Sequence, residues 1–264
     1  MKKFNLLTAL IALLIVFLAL ADGVLAGPPL TNLEGVGGIA FNPLAYPADS
    51  SDGQARFGAW YGALGNTKVD WTSIGIANTL FKRLEVSYGY ETINPDSTTA
   101  KHKSNLGAKL VLLTEDGNIP AVSVGTILKQ TNNAPAGVDA SGVDFYLVAT
   151  KLFTQLPQPI LLSGGALSTK GRVTGVFGYD KDSAVTLFGN VDVILPLNLI
   201  TGLEYKQGAK FSTWHDADYW NTHLAWTPNS NLSLVLAYVN AGDNTSTSTV
   251  GLSDGLVLST QYAF

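Results

Sequence analysis

The last nine residues alternate strictly. Leu256, Leu258, Thr260, Tyr262 and Phe264 fall on one face of a strand, and Val257, Ser259, Gln261 and Ala263 fall on the other. Any half-buried edge strand alternates in this way, so the opposite end of the chain has to narrow the choice. Met1-Lys2-Lys3 is followed by a nearly unbroken apolar run from Leu6 to Leu20 and then by small residues. A basic start, a short apolar run and Ala19-Leu20-Ala21 or Val24-Leu25-Ala26 as cleavage site make a secretory signal peptide over residues 1–26. The run falls short of the ~20 residues of a membrane helix. An exported chain whose final apolar face ends in an aromatic residue is expected to be an all-β protein, a transmembrane antiparallel β-barrel of the Gram-negative outer membrane.

Composition supports this. Charged residues make up 14% of the chain, against ~25% in soluble proteins, yet no second apolar run is long enough for a membrane helix. Such a chain must alternate its apolar residues, as lipid-facing strands do. There is no Cys, which excludes lipoprotein anchoring, disulfides and thiolate metal sites. A net charge of −4 without a polybasic patch argues against nucleic acid. The partners expected are outer-membrane lipid and the barrel-assembly machinery, the latter through the strand ending in Phe264. No cofactor and no metal site are expected.

Alternation and turn residues give twelve strand candidates, at 55–64, 68–80, 83–93, 103–114, 119–130, 141–153, 158–168, 184–195, 198–207, 217–227, 231–240 and 256–264. Most have the ~9–11 residues of a tilted transmembrane strand. Their connections alternate short and long, as periplasmic turns and extracellular loops do. The short ones include Phe81-Lys82, Leu156-Pro157 and Pro196-Leu197; the long ones include Asn94–His102 and Thr169–Ser183. The tight turn at Gly65-Asn66-Thr67 breaks the rule, and Arg172–Tyr179 reads as a loop or an extra hairpin arm. The strand number is therefore about twelve, within a range of 10–14, over residues 55–264.

Parity assigns the faces. Tyr88, Tyr90, Tyr205, Trp220, Trp226, Tyr238, Tyr262 and Phe264 point outward as aromatic girdles, with Trp226 and Phe264 in the periplasmic belt. The lumen receives Glu85, Glu91, Lys109, Lys129, Lys151, Asp192, Glu204, Lys206 and His223. These groups either pair into a network or line a narrow water-filled path, since an unpaired dry charge is costly. Acid and base nearly match, so no strong ionic selectivity is expected. Residues 27–54 form a plug or mouth-packing segment. Pro28–Pro47 is the plug candidate, because Leu30–Phe41 is too apolar for a free tail; it could also add a strand.

Phe81–Tyr88, Asp144–Leu152, Gly202–Gln207, Ala225–Asn229 and Ala237–Val239 resemble, in order and spacing, a proteobacterial family of outer-membrane barrels known as domain of unknown function 3034. The resemblance covers most of the mature chain and implies the barrel and its location. It brings no activity and no catalytic residue.

Other chemistries are weaker. Trp214-His215-Asp216-Ala217-Asp218 offers imidazole and carboxylates to a divalent cation, or is a solvated loop. A lipid-cleaving site would have to join His223, Asn221 and Ser233. Gly35-Val36-Gly37-Gly38 lacks the Lys-Ser/Thr and helix of a phosphate loop. The chain is not read as an enzyme. It is expected to be a narrow, porin-like passive channel for small polar solutes, or a closed structural or docking barrel.

Overall fold

Residues 30–48, 53–65, 69–95, 99–242 and 249–264 are described by a computed structural model. The signal peptide and the turn at Asn66-Thr67 lie outside the described residues. Apolar–polar alternation builds twelve barrel strands: β1 Ala55–Leu64, β2 Val69–Leu80, β3 Leu84–Pro95, β4 Lys101–Leu113, β5 Ala121–Thr131, β6 Ser141–Phe153, β7 Ile160–Gly171, β8 Tyr179–Leu195, β9 Leu199–Lys206, β10 Tyr219–Trp226, β11 Leu232–Asn240 and β12 Asp254–Ala263. Each pairs antiparallel with its sequence neighbours, and β1 pairs with β12 from Arg56↔Ala263 to Leu64↔Gly255. Closure leaves no strand edge, which a bilayer requires.

One end of the barrel carries the short turns and Phe264, the periplasmic end in this architecture. Two of its turns are tight enough to need positive φ from non-glycine residues, Phe81 and Lys82 in one and Leu197 and Asn198 in the other. Between Thr169 and Ser183 the chain departs from a plain long loop. β7 runs on to Gly171 and β8 begins at Tyr179, so the hairpin is extended, with a register shift between Thr169 and Gly171. The remaining Arg172–Phe177 stretch turns inward, and Val173 is fully buried. His102 lies within β4, stacked on Tyr90, and not in the preceding loop.

Leu30–Ala48 lies inside the barrel. Leu33, Ile39, Ala40 and Leu44 pack with Trp60, Trp71, Val173 and Val239, while Val36 and Ala45 pack with Ile127, Tyr146, Val148 and Phe188. The segment folds on itself through Asn32, whose Oδ1 accepts from the Glu34 and Val36 amides. Its tip touches the wall backbone to backbone. A Cβ at Gly75 would lie 2.7 Å from the Gly35 Cα, and one at Gly89 2.3 Å from the Glu34 carbonyl oxygen. Gly35 itself has φ +85°. Only glycine admits this approach.

Candidate functional site: the plugged lumen

Parity turns Glu85 and Glu91 of β3, Lys103, Asn105 and Lys109 of β4, Lys129 of β5 and Asp144 of β6 into the interior, all buried. Register sets Glu85 against Lys109 and Glu91 against Lys103. The resulting ion pairs are Lys109–Glu85 at 2.9 Å, Lys103–Glu91 at 2.9 Å and Lys129–Asp144 at 2.6 Å. The Trp71 indole N–H and the Asn105 amide also donate to Glu91, at 3.0 and 2.6 Å.

The plug enters this network through Glu34. Its Oε1 accepts from Lys103 Nζ at 3.0 Å and from Lys129 Nζ. Burial opposes the charged carboxylate, but the ammonium groups of Lys129 and Lys103 outweigh it and hold Glu34 well below the usual carboxylate range. Lower in the wall, Glu85 accepts from the Gly37 amide at 2.9 Å and the Ala48 amide at 2.6 Å.

The opposite wall, from β8 to β10, works differently. Glu204 accepts the backbone N–H groups of Ala40, Phe41 and Asn42 at 3.1, 3.1 and 3.2 Å, and the Asn221 amide at 2.5 Å. His223 sits with Nε2 2.8 Å from Asp192 Oδ1 and Nδ1 3.0 Å from Asn221 Oδ1. Lys206 is buried, and among the described residues its side chain makes no ion pair or hydrogen bond. It borders two cavities of about 10 Å³ each, one reaching Asp144, Asp216 and Tyr219 and the other Glu34, Glu91 and Trp71. Each is about the size of one water.

The extracellular side is covered by the inward turn. Val173 N–H donates to Asp216 at 2.9 Å, Lys103 to the Thr174 carbonyl at 3.0 Å and Thr131 to the Gly175 carbonyl at 2.8 Å. Burial pushes the Asp216 carboxyl up to about 6, against the opposing hydrogen bonds from the Trp214 indole and the Val173 amide. At the periplasmic end a cavity of 290 Å³ is lined by Leu30, Leu44, Ala48, Arg56 and Asp192 among others.

Of the residues assigned to the lumen from sequence, Lys151 is misplaced. Its neighbour Thr150 points inward and accepts from the Ala45 amide at 2.8 Å. Lys151 therefore faces outward near the end of β6, where it pairs with Glu115 at 2.8 Å. Lys151 shares parity with the outward Phe145 and Leu147, and the adjacent polar pair Thr150-Lys151 masks the alternation at this end of β6. The same Glu115 accepts the Tyr46 hydroxyl of the plug. Lys103 and Asp144 were missed although each shares parity with inward neighbours, Lys109 and Tyr146. Glu34 had no parity signal, because the plug is not a strand.

The aromatic residues face outward. Trp220 lies against Tyr238 at 5.9 Å and Tyr262 against Phe264 at 5.2 Å between ring centroids. Tyr90 and Tyr205 are exposed on the same outer surface, and Trp226 and Phe264 sit at the short-turn end. Tyr88 lies farther from the strand ends, opposite Ile76 and Leu106.

The proposed hydrolytic trio does not assemble. Register puts Ala237, not Ser233, opposite His223. The residues of Trp214–Asp218 diverge: Asp216 turns inward, Asp218 accepts from the Tyr205 hydroxyl and the Gly208 amide, and His215 is exposed. Among the described residues no three metal-ligating groups converge.

The family described as "Protein of unknown function (DUF3034)" matches residues 27–261. The chain belongs to the DUF3034 family. No curated protein matches it. Among solved structures, a KdgM porin superposes on this DUF3034 barrel with a TM-score of 0.55 at 12% identity, covering 80% of this chain and 99% of that one. The COG4313 outer membrane channel from Pseudomonas putida F1 does so with a TM-score of 0.50 at 15% identity, covering 81% and 95%. At such identities the likeness is one of fold. The DUF3034 chain has the fold of outer-membrane β-barrels, a closed antiparallel barrel of twelve strands.

Proposed function

We propose that this DUF3034 protein is a channel for small polar solutes, shut in the described conformation by its own segment 30–48. The carrying observation is the character of the wall behind that segment. A barrel closed for good would fill its interior most cheaply with apolar side chains, because buried ion pairs are often no better than hydrophobic replacements. Here the wall presents Glu85, Glu91, Lys103, Lys109, Lys129 and Glu204, groups that water and polar solutes can satisfy once the plug leaves.

The route out is also simple. Leu30 and Ala48, the two ends of the segment, both line the periplasmic cavity, so it can withdraw toward the periplasm without threading. Solved neighbours described as a porin and a channel agree with the reading. Assembly through the strand ending in Phe264 belongs to the same reading.

One observation favours the closed structural or docking barrel: the plug buries Leu33, Ile39, Ala40 and Leu44 in a common core with Trp60 and Trp71. Single-channel recording of the refolded mature protein, a Gly75→Val variant and a variant lacking residues 27–48 separates the two. The channel reading expects small or rare openings in the parent and steady conductance in both variants. Folded variants that remain silent would leave the closed barrel.

A further inference from the structure

We propose that the position held by the Glu34 carboxylate is a binding site for the carboxylate of a small acidic solute, with Glu34 standing in it as a tethered occupant. The proposal rests on the channel reading and names the solute class of that lumen.

The wall lysines do not need Glu34 to be paired. Lys103 has Glu91 and Lys129 has Asp144, each at salt-bridge distance on a neighbouring strand. Yet both ammonium groups also converge on one oxygen of Glu34. Lys206 approaches the same place from β9 across the small cavity that Glu34 and Lys206 share, and it has no ion-pair partner among the described residues. At this level Lys103, Lys129 and Lys206 surround the Glu34 carboxylate, and Lys103 and Lys129 keep Glu91 and Asp144 as their own partners on the wall. Asp216 also borders Lys206, across the other small cavity, and accepts from the Val173 amide and the Trp214 indole.

Other charged pairs among the described lumen residues involve one cation each. Glu85 is matched by Lys109, and Asp192 lies against His223. When the plug withdraws, Lys103 and Lys129 keep their wall carboxylates but lose the acceptor they share, which leaves room for an anion between them. A carboxylate fits that place through charge-assisted hydrogen bonds. The indole of Trp71, held at its N–H by Glu91, offers an adjacent flat surface to the rest of the solute.

The test compares gluconate with sorbitol, a neutral polyol of similar size. Calorimetry on the detergent-solubilised mature protein should show gluconate binding to Glu34→Gln at least tenfold tighter than to the parent. Adding Lys206→Gln, which removes no ion pair from the folded chain, should abolish most of that gain, and sorbitol should bind neither. Gly75→Val, which displaces the plug tip sterically, should reproduce the gain even if Glu34→Gln refolds poorly. In proteoliposomes the same variants should admit gluconate faster than sorbitol. Folded variants that bind neither solute, or admit both alike, would overturn the acidic site and leave the channel standing. Gluconate binding without entry of either solute would keep the site and overturn the channel.

Discussion

The wall from β3 to β6 and the wall from β8 to β10 grip the same segment by different means. The first is a ladder of opposite charges on neighbouring strands, and it is largely complete without the plug: Lys103, Lys109 and Lys129 each keep a wall carboxylate. The second holds Glu204, whose donors are three backbone amides of the plug and one Asn221 amide. Withdrawal of the plug would cost the first wall the shared Glu34 acceptor and the amides that Glu85 and Thr150 accept, yet leave its ion pairs whole, whereas Glu204 would lose most of its hydrogen bonds. Charge–charge pairing thus builds the barrel, while carboxylate–amide bonding latches the plug.

Two substitutions break the comparison at its strongest point. Lys129→Met leaves Asp144 without its ion-pair partner and should destabilise the barrel by roughly 3–5 kcal/mol, read as a lower unfolding temperature. Glu204→Gln keeps an acceptor but loses its charge, and should weaken plug docking by about 1.5–3 kcal/mol. Exchange at the Ala40–Asn42 amides would then accelerate by roughly 10–100-fold with little change in barrel unfolding. Equal effects of both variants on the barrel would show that latch and frame are not separate.

The frame was far more legible in sequence than the latch. Period-2 alternation is a property of each strand, so Glu85, Glu91 and His223 could be turned inward from residue order alone. Pairing Glu85 with Lys109 needs the β3–β4 register, which no tight turn between those strands fixes. Residues 30–48 have no period: their path depends on Asn32 closing a turn and on Gly35 meeting Gly75 and Gly89. The plug's donors to Glu204 are backbone amides, which every residue but proline carries, so no side-chain pattern announces them. The near match of acid and base among the assigned lumen residues likewise omits Lys103, Asp144 and Glu34, the groups that meet at Lys129.

Titration sharpens the contrast between the plug and the extracellular turn. Glu34 is held below its ordinary 4.5, so its ion pairs stabilise the fold above about pH 4.5 and are lost as pH falls. Asp216 is raised from 3.8 to about 6, so its contribution is fully present below 3.8 and is lost as pH rises through 6. Lys206, Tyr219 and the Trp214 indole face Asp216 and share its surroundings. Asp216→Asn should therefore match the parent in unfolding temperature near pH 4 and gain on it between pH 5 and 7. A parent that gains on the variant over that range would contradict burial as the dominant influence on Asp216.

Lys151→Ala gives the smallest effect and tests which face β6 turns inward. The Lys151–Glu115 pair is partly exposed, with side chains 15% and 21% accessible, whereas Lys129 and Asp144 are at 0% and 1%. Partly solvated pairs contribute about 0–1 kcal/mol, so the variant should unfold within that margin of the parent and conduct as it does. A one-residue slip of β6 would carry Lys151 into the lumen and Thr150 out of it, because side chains alternate with period two. The lysine would then be a buried charge, and its loss would cost as much as that of Lys129. Similar destabilisation by the two lysine variants would thus show the strand to be out of register, and with it the contact between Thr150 and the Ala45 amide.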